Sequence, residues 1–336
     1  MKIEPFPIEL IKDRMKDILK TNIYDIDTIL EYLLATNGKM IRPRLVYLTA
    51  SLYPHNTLII TDIAVAVELI HMASLVHDDV IDHASIRRGA ESINSRWGNQ
   101  ISVLTGDYLF ATAFNLINKH NQSEIMDSIT ETIQIMCSGE IKQLSMSYNI
   151  DLTEEDYFDK TYRKTACLFA SSCKVGALTS SMPPDEISSI EQYGLCLGYA
   201  YQIIDDVLDF VSDSSLLGKP AGNDLLQGNI TLPVILALRN EEYGLKLRQL
   251  LQRDSLNKDR IPRVLEIMLK TGAIKESIER SQLYMRLGLK ILDQITAGPA
   301  LQELKDTSEH LIKGYYEKLD KFGGSYDGRP EGGNSY

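Results

Sequence analysis

Asp78-Asp79-Val80-Ile81-Asp82 and Asp205-Asp206-Val207-Leu208-Asp209 are two acidic clusters of the same form in one chain. Helical periodicity puts the first and last aspartate of each on one face, with the middle one roughly 100° round. At an effective dielectric of about 20, carboxylates about 4 Å apart repel by about 4 kcal/mol per pair. Without a cation such a group protonates or destabilises its helix. A single DDxxD on a helix is most often a solvated acidic face. Here both copies lie in apolar sequence: Ala73-Ser74-Leu75-Val76 and Ile86 flank the first, Tyr201-Gln202-Ile203-Ile204 and Phe210-Val211 the second. The repetition points to a paired acidic cavity for hard divalent cations and the phosphates they carry. Magnesium suits such a site better than calcium, because a few carboxylates plus phosphate oxygens and water meet its octahedral demand.

Phosphate also needs cationic partners. Gly38-Lys39-Met40-Ile41-Arg42-Pro43-Arg44 is a loop-to-helix transition with three cations, and Arg87-Arg88-Gly89 follows Asp82 within five residues or so. Lys164-Thr165 opens a further patterned stretch, and Lys219 lies ten residues past Asp209. His71 precedes Asp78 by two helical turns, on nearly the same face. Singly, these are ordinary surface charges, ion pairs or a core histidine. Together with the acidic clusters they fit two anionic groups side by side, one bridged by metal and one held by Arg, Lys and His alone.

These residues need elements to position them. Apolar residues at three- and four-residue spacing predict helices over 8–19, 26–35, 41–53, 58–82, 100–118, 123–148, 155–181, 186–212, 230–239, 243–252, 261–270, 273–295 and 300–321. Gly38, Pro54, Gly89, Pro183-Pro184, Gly218 to Gly222, Gly228 and Gly298-Pro299 separate them. There is little sign of strands, no polar linker long enough to divide the chain, and no repeat beyond the acidic motifs. The expected fold is all-α, a single large helical bundle over 1–322. Residues 323–336, Gly-rich and polar, are expected to be a disordered tail.

The 336 residues are 44% hydrophobic and 24% charged, with net charge −11 from 35 basic and 46 acidic side chains. That balance argues against nucleic acid as the main partner. Cys137, Cys167, Cys173 and Cys196 show no CxxC spacing, so they read as small buried hydrophobes in a reducing compartment rather than a zinc site or disulfide framework. The N-terminus shows no apolar secretory segment, and no run is expected to reach the roughly 20 apolar residues of a membrane span. A cytoplasmic enzyme, at most peripheral at a membrane, is expected.

The stretch from His71 through Asp82 to Arg87-Arg88-Gly89 resembles the first aspartate-rich region of trans-prenyl diphosphate synthases. Tyr201 to Asp209 followed by Gly218-Lys219-Pro220 resembles their second, and Gly38-Lys39, Arg42-Pro43 and Lys164-Thr165 fall at the family's other landmarks. The similarity spans roughly 25 to 320. Gly222 to Pro233 is most similar to large subunits of heptaprenyl diphosphate synthase, from bacterial menaquinone synthesis. The resemblance implies an isoprenoid-synthase bundle around a central active-site cavity. In it an allylic diphosphate binds three magnesium ions held by Asp78, Asp82 and Asp205, with the other motif aspartates, Asp79, Asp206 and Asp209, in the metal-binding set. Arg87, Lys164 and Lys219 would hold its phosphates, with Thr165 and Gln202 as polar contacts. Lys39, Arg42, His71 and Arg88 would hold isopentenyl diphosphate without metal. On that resemblance the allylic carbon ionises, the isopentenyl double bond attacks, and a proton is lost to the released diphosphate.

Some positions depart from the family's commonest pattern. Asn37 and Met40 replace a glycine and an arginine, and Asn229 stands where many relatives carry a lysine. Product length follows from geometry. An extended isoprene unit spans roughly 5 Å and a helix turn rises ~5.4 Å, so each turn cleared of bulk admits about one more unit. Below Asp78 the face beside His71 carries Ser74, Ala73, Ile70, Ala66 and Ile63. The small residues nearest the aspartates favour a long all-trans product over a farnesyl-length one, unless Ala73 and Ala66 merely permit close helix packing. The resemblance further implies a dimer, heteromeric with a small regulatory subunit. Two other readings stay open: a short-chain synthase of farnesyl or geranylgeranyl length, and a non-catalytic subunit that binds prenyl diphosphates. A class I terpene cyclase fits less well, since it would not need Lys39, Arg42 and His71.

Overall fold

The structure is a computed structural model that describes residues 6–36, 38–211, 222–252, 256–295 and 298–320. In chain order the helices are α1 (Ile8–Leu19), α2 (Tyr24–Ala35), α3 (Ile41–Ala50) and α4 (Thr57–Ile81), then a hairpin of β1 (Ile86–Arg87) and β2 (Ala90–Glu91). They continue as α5 (Ile93–Trp97), α6 (Asn99–Asn118), α7 (Ser123–Met146), α8 (Glu154–Thr161), a π-helical turn Tyr162–Ala166, α9 (Cys167–Leu178) and α10 (Pro184–Val211). Next come α11 (Asn223–Leu226), α12 (Leu232–Leu238), α13 (Gly244–Leu250), α14 (Ile261–Lys270), α15 (Ala273–Leu292) and α16 (Pro299–Asp320). The all-α expectation holds, with the hairpin as an addition.

The chain divides into two compact units. One comprises 1–136, 167–195 and 288–305; the other comprises 137–166, 196–287 and 306–336. In the first, α4 packs against α3, α6 and α9. Its N-terminus is capped by Asn56, whose side chain accepts from the Leu58 and Ile59 amides at 3.0 and 3.4 Å. Its residues from Ile60 to Ile70 are all buried, and apart from Thr61, Asp62 and Glu68 they are apolar. Each fully buried Leu or Ile there stabilises by roughly 1.5–3 kcal/mol. The sequence expectation of no membrane-length run needs correction, because this 25-residue helix is long and apolar enough to cross a bilayer. Its most apolar window is 78% buried inside the protein, which is how a core helix behaves.

In the second unit α12, α13 and α14 pack on one another, and α8 meets α12. Phe158, Tyr199 and Tyr284 form an aromatic cluster with centroids 4.9 to 5.7 Å apart. Ser281 on α15 donates to the Ala200 carbonyl of α10 at 2.8 Å. The cysteines are only partly as expected: Cys167 and Cys173 are buried, Cys196 is half-buried and Cys137 is exposed.

Candidate active site

In the first unit, α4 ends at Asp82, and His83 takes a positive φ of 51° that turns the chain. The hairpin that follows pairs Ile86 with Glu91 and Arg87 with Ala90. Its two turn residues, Arg88 (φ 53°) and Gly89 (φ 79°), are both left-handed. A two-residue loop of that hand matches strand twist, and glycine adopts it without strain. The hairpin sends Arg87 back to the helix it left: its Nε and Nη2 donate to Asp79 Oδ1 at 2.9 and 2.5 Å. Asp79 is buried, and Asn94 donates to its carbonyl. Asp78 is half-buried and Asp82 exposed. The six aspartates expected as a metal set therefore divide, with Asp79 held by Arg87.

Arg88 donates to the Thr36 carbonyl at 3.2 Å and lies against Gly38. Arg42, from the first turn of α3, donates through Nη1 to His71 Nε2 at 3.0 Å and stacks over the Phe169 ring at 4.9 Å. Burial, then the charges of Arg42, Arg88 and Arg87, push the His71 pKa well below its ordinary value. His71 is thus a neutral acceptor at Nε2. Lys39 is exposed, just before α3, and Met40 is left-handed and buried in the core. The sequence reading overlooked Glu68, 2% exposed on the same helix one turn before His71. Burial pushes its pKa up, and Arg42 and Arg88 pull against that. An acid within a largely apolar stretch of helix, as Asp62 also is, was the available signal.

The neutral state of His71 has a testable consequence. The unfolded chain protonates this imidazole as pH falls through about 6.5, while the folded chain does not. Stability is therefore full above that range and falls below it, at up to roughly 1.4 kcal/mol per pH unit. Urea unfolding between pH 7.5 and 5.5 is expected to show a flatter decline for His71→Gln than for the native chain.

In the second unit, Asp205 is exposed, Asp206 is buried and Asp209 is half-buried. Asp206 is enclosed by partners: Tyr157 Oη donates to Oδ2 at 2.7 Å and Gln202 Nε2 donates to Oδ1 at 2.7 Å. Thr165 Oγ1 in turn donates to Gln202 Oε1 at 2.6 Å. Burial raises Asp206 to about 7, against the pull of Lys160. Burial and then the Asp224 charge raise Asp209 to about 8. Asp224 donates its backbone N–H to Asp209 Oδ2 at 3.1 Å. Lys164 and Thr165 sit in the π-helical turn, a device often found at functional sites, and Lys164 pairs with Glu140 at 3.3 Å. Asn229 Oδ1 accepts from Lys160 at 2.6 Å. Tyr157 and Lys160 were missed in the sequence, although Tyr157, Lys160 and Lys164 share helical i, i+3, i+7 spacing. Lys219, and Asn37 of the first basic motif, lie outside the described residues.

Each unit thus presents a DDxxD turn whose middle aspartate is fixed by neighbours. Among the described residues no three His, Cys, Asp or Glu side chains form a ready-made metal chelate. The donors are hard carboxylate oxygens, and the like charges around Asp209 would be relieved by a divalent cation. That donor set fits an ion which keeps most of its shell for phosphate and water, as magnesium does.

Ala66, Ile70 and Ala73 are fully buried in the core of the first unit. Ser74 is half-buried and donates to the His71 carbonyl at 2.9 Å.

An all-α chain with two such motifs is the architecture of an isoprenoid synthase. The Polyprenyl synthetase family matches residues 24–268. The chain is 38% identical to heptaprenyl diphosphate synthase component 2 of Bacillus subtilis, covering 84% of this chain and 80% of that one. It is 32% identical to a short chain isoprenyl diphosphate synthase of Methanothermobacter thermautotrophicus, covering 89% and 93%. Among solved structures it is similar to heptaprenyl diphosphate synthase from Staphylococcus aureus, at 33% identity and TM-score 0.86, covering 91% and 96%. It is also similar to polyprenyl synthase from Caulobacter crescentus complexed with calcium and isoprenyl diphosphate, at 29% identity and TM-score 0.85, covering 91% and 94%. The chain belongs to the polyprenyl synthetase family and is a prenyltransferase.

Proposed function

We propose that the chain is the catalytic component of a long-chain, all-trans prenyl diphosphate synthase, making a product of about seven isoprene units for a quinone side chain. The observation that carries this is the pair of intact DDxxD turns in a chain 38% identical to a heptaprenyl diphosphate synthase component. Asp78, Asp82, Asp205 and Asp209 would hold magnesium, about three ions with substrate bound. Bound there, magnesium would neutralise charge on the departing diphosphate. Asp79 and Asp206 act through their neighbours: Asp79 anchors Arg87, and Asp206 anchors Gln202, itself bonded to Thr165. Arg87, Lys164, Thr165, Gln202 and Lys219 would meet the allylic diphosphate. Lys39, Arg42, His71 and Arg88 would meet isopentenyl diphosphate, which brings no metal of its own. A neutral His71 accepts from Arg42 and leaves the positive charge on the guanidinium, where a diphosphate is recognised.

Ala66, Ile70, Ala73 and Ser74 would set product length. The name "component 2" of the Bacillus subtilis relative supports pairing with another component; we take that partner to be a small dissimilar subunit, and place the enzyme in the cytoplasm, peripheral at the membrane when it hands over product. The short-chain relative supports a second reading, a synthase of geranylgeranyl or farnesyl length.

Chain elongation separates these. Protein, magnesium, farnesyl diphosphate and labelled isopentenyl diphosphate are incubated alone and with an extract that supplies a partner, and products are sized by chromatography. Seven-unit product dependent on extract is expected, and Ala73→Phe is expected to shorten it. Geranylgeranyl-length product would support the second reading. Absence of any product in both conditions would defeat both.

A further inference from the structure

In the second unit, residues 222–230 form a strap fastened at both ends. At its start the Gly222 N–H donates to the Asp209 carbonyl at 2.7 Å, and the Asp224 N–H donates to Asp209 Oδ2 at 3.1 Å. The short helix α11 carries Asp224 and closes on itself, since the Asn229 N–H returns to the Asp224 carbonyl at 2.9 Å. At its end Lys160, on α8, grips two successive residues: its ammonium donates to Asn229 Oδ1 at 2.6 Å and to the Ile230 carbonyl at 3.1 Å. The Tyr157 ring lies 5.5 Å from the same ammonium, and its hydroxyl is bonded to Asp206. Gly228 completes the fastening. Its φ of 83° is left-handed, its carbonyl accepts from the Tyr148 N–H at 2.8 Å, and a Cβ there would stand 2.6 Å from the Tyr148 ring.

Asn229 is the joint of this strap. Its backbone N–H holds the carbonyl of Asp224, and its side chain is held by Lys160. A displacement of Lys160 therefore reaches Asp209 through one residue and one closed turn. An ammonium is costly to bury, and this one is half-buried with its charge facing Asp206 and Asp224. Packing alone would be served by methionine. The charge and the two donated bonds are what methionine lacks.

We propose that Lys160 is a positioning residue: by holding Asn229 and Ile230 it sets Asp224 against Asp209, and so sets how tightly the second acidic cluster takes a divalent cation. This rests on the prenyl-transfer reading only for its kinetic consequence. Residues that orient metal ligands typically contribute 10–100-fold to metal affinity.

The test compares Lys160→Met and Lys160→Arg with the native chain. Manganese(II) binding is titrated by electron paramagnetic resonance in the presence of inorganic diphosphate, and steady-state kinetics are measured against magnesium and each substrate. Lys160→Met is expected to weaken manganese binding about tenfold, and to raise the magnesium requirement and the allylic KM by a similar factor. The isopentenyl KM is expected to stay within about twofold, because the residues assigned to that substrate belong to the other unit. Lys160→Arg, which keeps the charge and can donate to both acceptors, is expected to recover most of the affinity. A Lys160→Met protein that melts earlier but binds manganese as the native chain does would overturn the proposal. So would a Lys160→Arg protein no better than Lys160→Met, or a native chain that binds no manganese. Loss of manganese affinity in Lys160→Met, with no elongation by the native chain either alone or with the extract that supplies a partner, would support the strap and defeat the proposed function.

Discussion

Asp205→Ala and Asp78→Ala are each expected to lower turnover by about a thousandfold while leaving the melting temperature close to that of the native chain. The two halves of this expectation come from different observations. Asp205 is exposed and Asp78 half-buried, so truncating either leaves little buried surface empty and costs little stability. Their chemistry is another matter. Ionisation of an allylic diphosphate separates charge, and the middle aspartate of each motif is already engaged and poorly placed to replace a lost ligand. Asp79 is occupied by Arg87 in the first unit, and Asp206 by Tyr157 and Gln202 in the second.

The middle aspartates should behave in the opposite sense. Asp79→Ala leaves the partly exposed Arg87 beside a vacated, buried position, and losing such a part-buried, charge-assisted bond typically costs about 1.5–3 kcal/mol. That variant is expected to fail first by unfolding. Differential scanning calorimetry beside a single-turnover assay checks the contrast. If Asp78→Ala or Asp205→Ala kept near-native turnover, the metal assignment would be wrong. If Asp79→Ala were as stable as Asp78→Ala, the division of labour within the motif would be wrong.

That division marks the border of what the sequence could tell. Helical periodicity is set by local geometry, so the long elements were legible; Pro184, expected as a breaker ahead of a helix at 186, instead opens α10, because proline suits a first helical turn. The two acidic clusters were legible for the same reason. Which of three neighbouring carboxylates is consumed depends on what lies across from it, and Arg87 comes back to Asp79 after the left-handed His83 turns the chain. The hairpin that carries Arg87 has strands of two residues each, too short to give a periodic signal. The π-helical turn at Lys164-Thr165 was hidden too, since one added residue per turn leaves apolar spacing almost unchanged. Lys160 and Asn229 lie 69 positions apart, and their bond is a fact of tertiary structure. α4 misled in a different way: its interior acids Asp62 and Glu68 disguised a helix otherwise apolar throughout. Asp62 is held by Arg14 at 2.7 Å and His120 at 2.7 Å, which makes its burial tolerable.

Arg42→Met is expected to raise the KM for isopentenyl diphosphate about a hundredfold, with the allylic KM changed by less than about threefold. Arg42 is fixed on three sides. The Phe169 ring lies under its guanidinium, His71 accepts from one of its nitrogens, and Glu68 is buried within its field. A planar guanidinium clamped in this way is already ordered for bidentate contact with a diphosphate, so little conformational entropy is lost on binding. Its neighbours do not compete for the anion: His71 is held neutral, and burial disfavours ionisation of Glu68. Methionine would stack on Phe169 but donate nothing, leaving Glu68 without its nearest compensating charge. Lysine is the sharper probe. It restores the charge but not the plane, and one ammonium cannot reproduce the fork that meets both His71 and a phosphate. Arg42→Lys should therefore recover only a small part of the loss. Initial rates with each substrate varied in turn would decide the matter. An Arg42→Met enzyme with a native isopentenyl KM and a raised allylic KM would reverse the assignment of the two diphosphates.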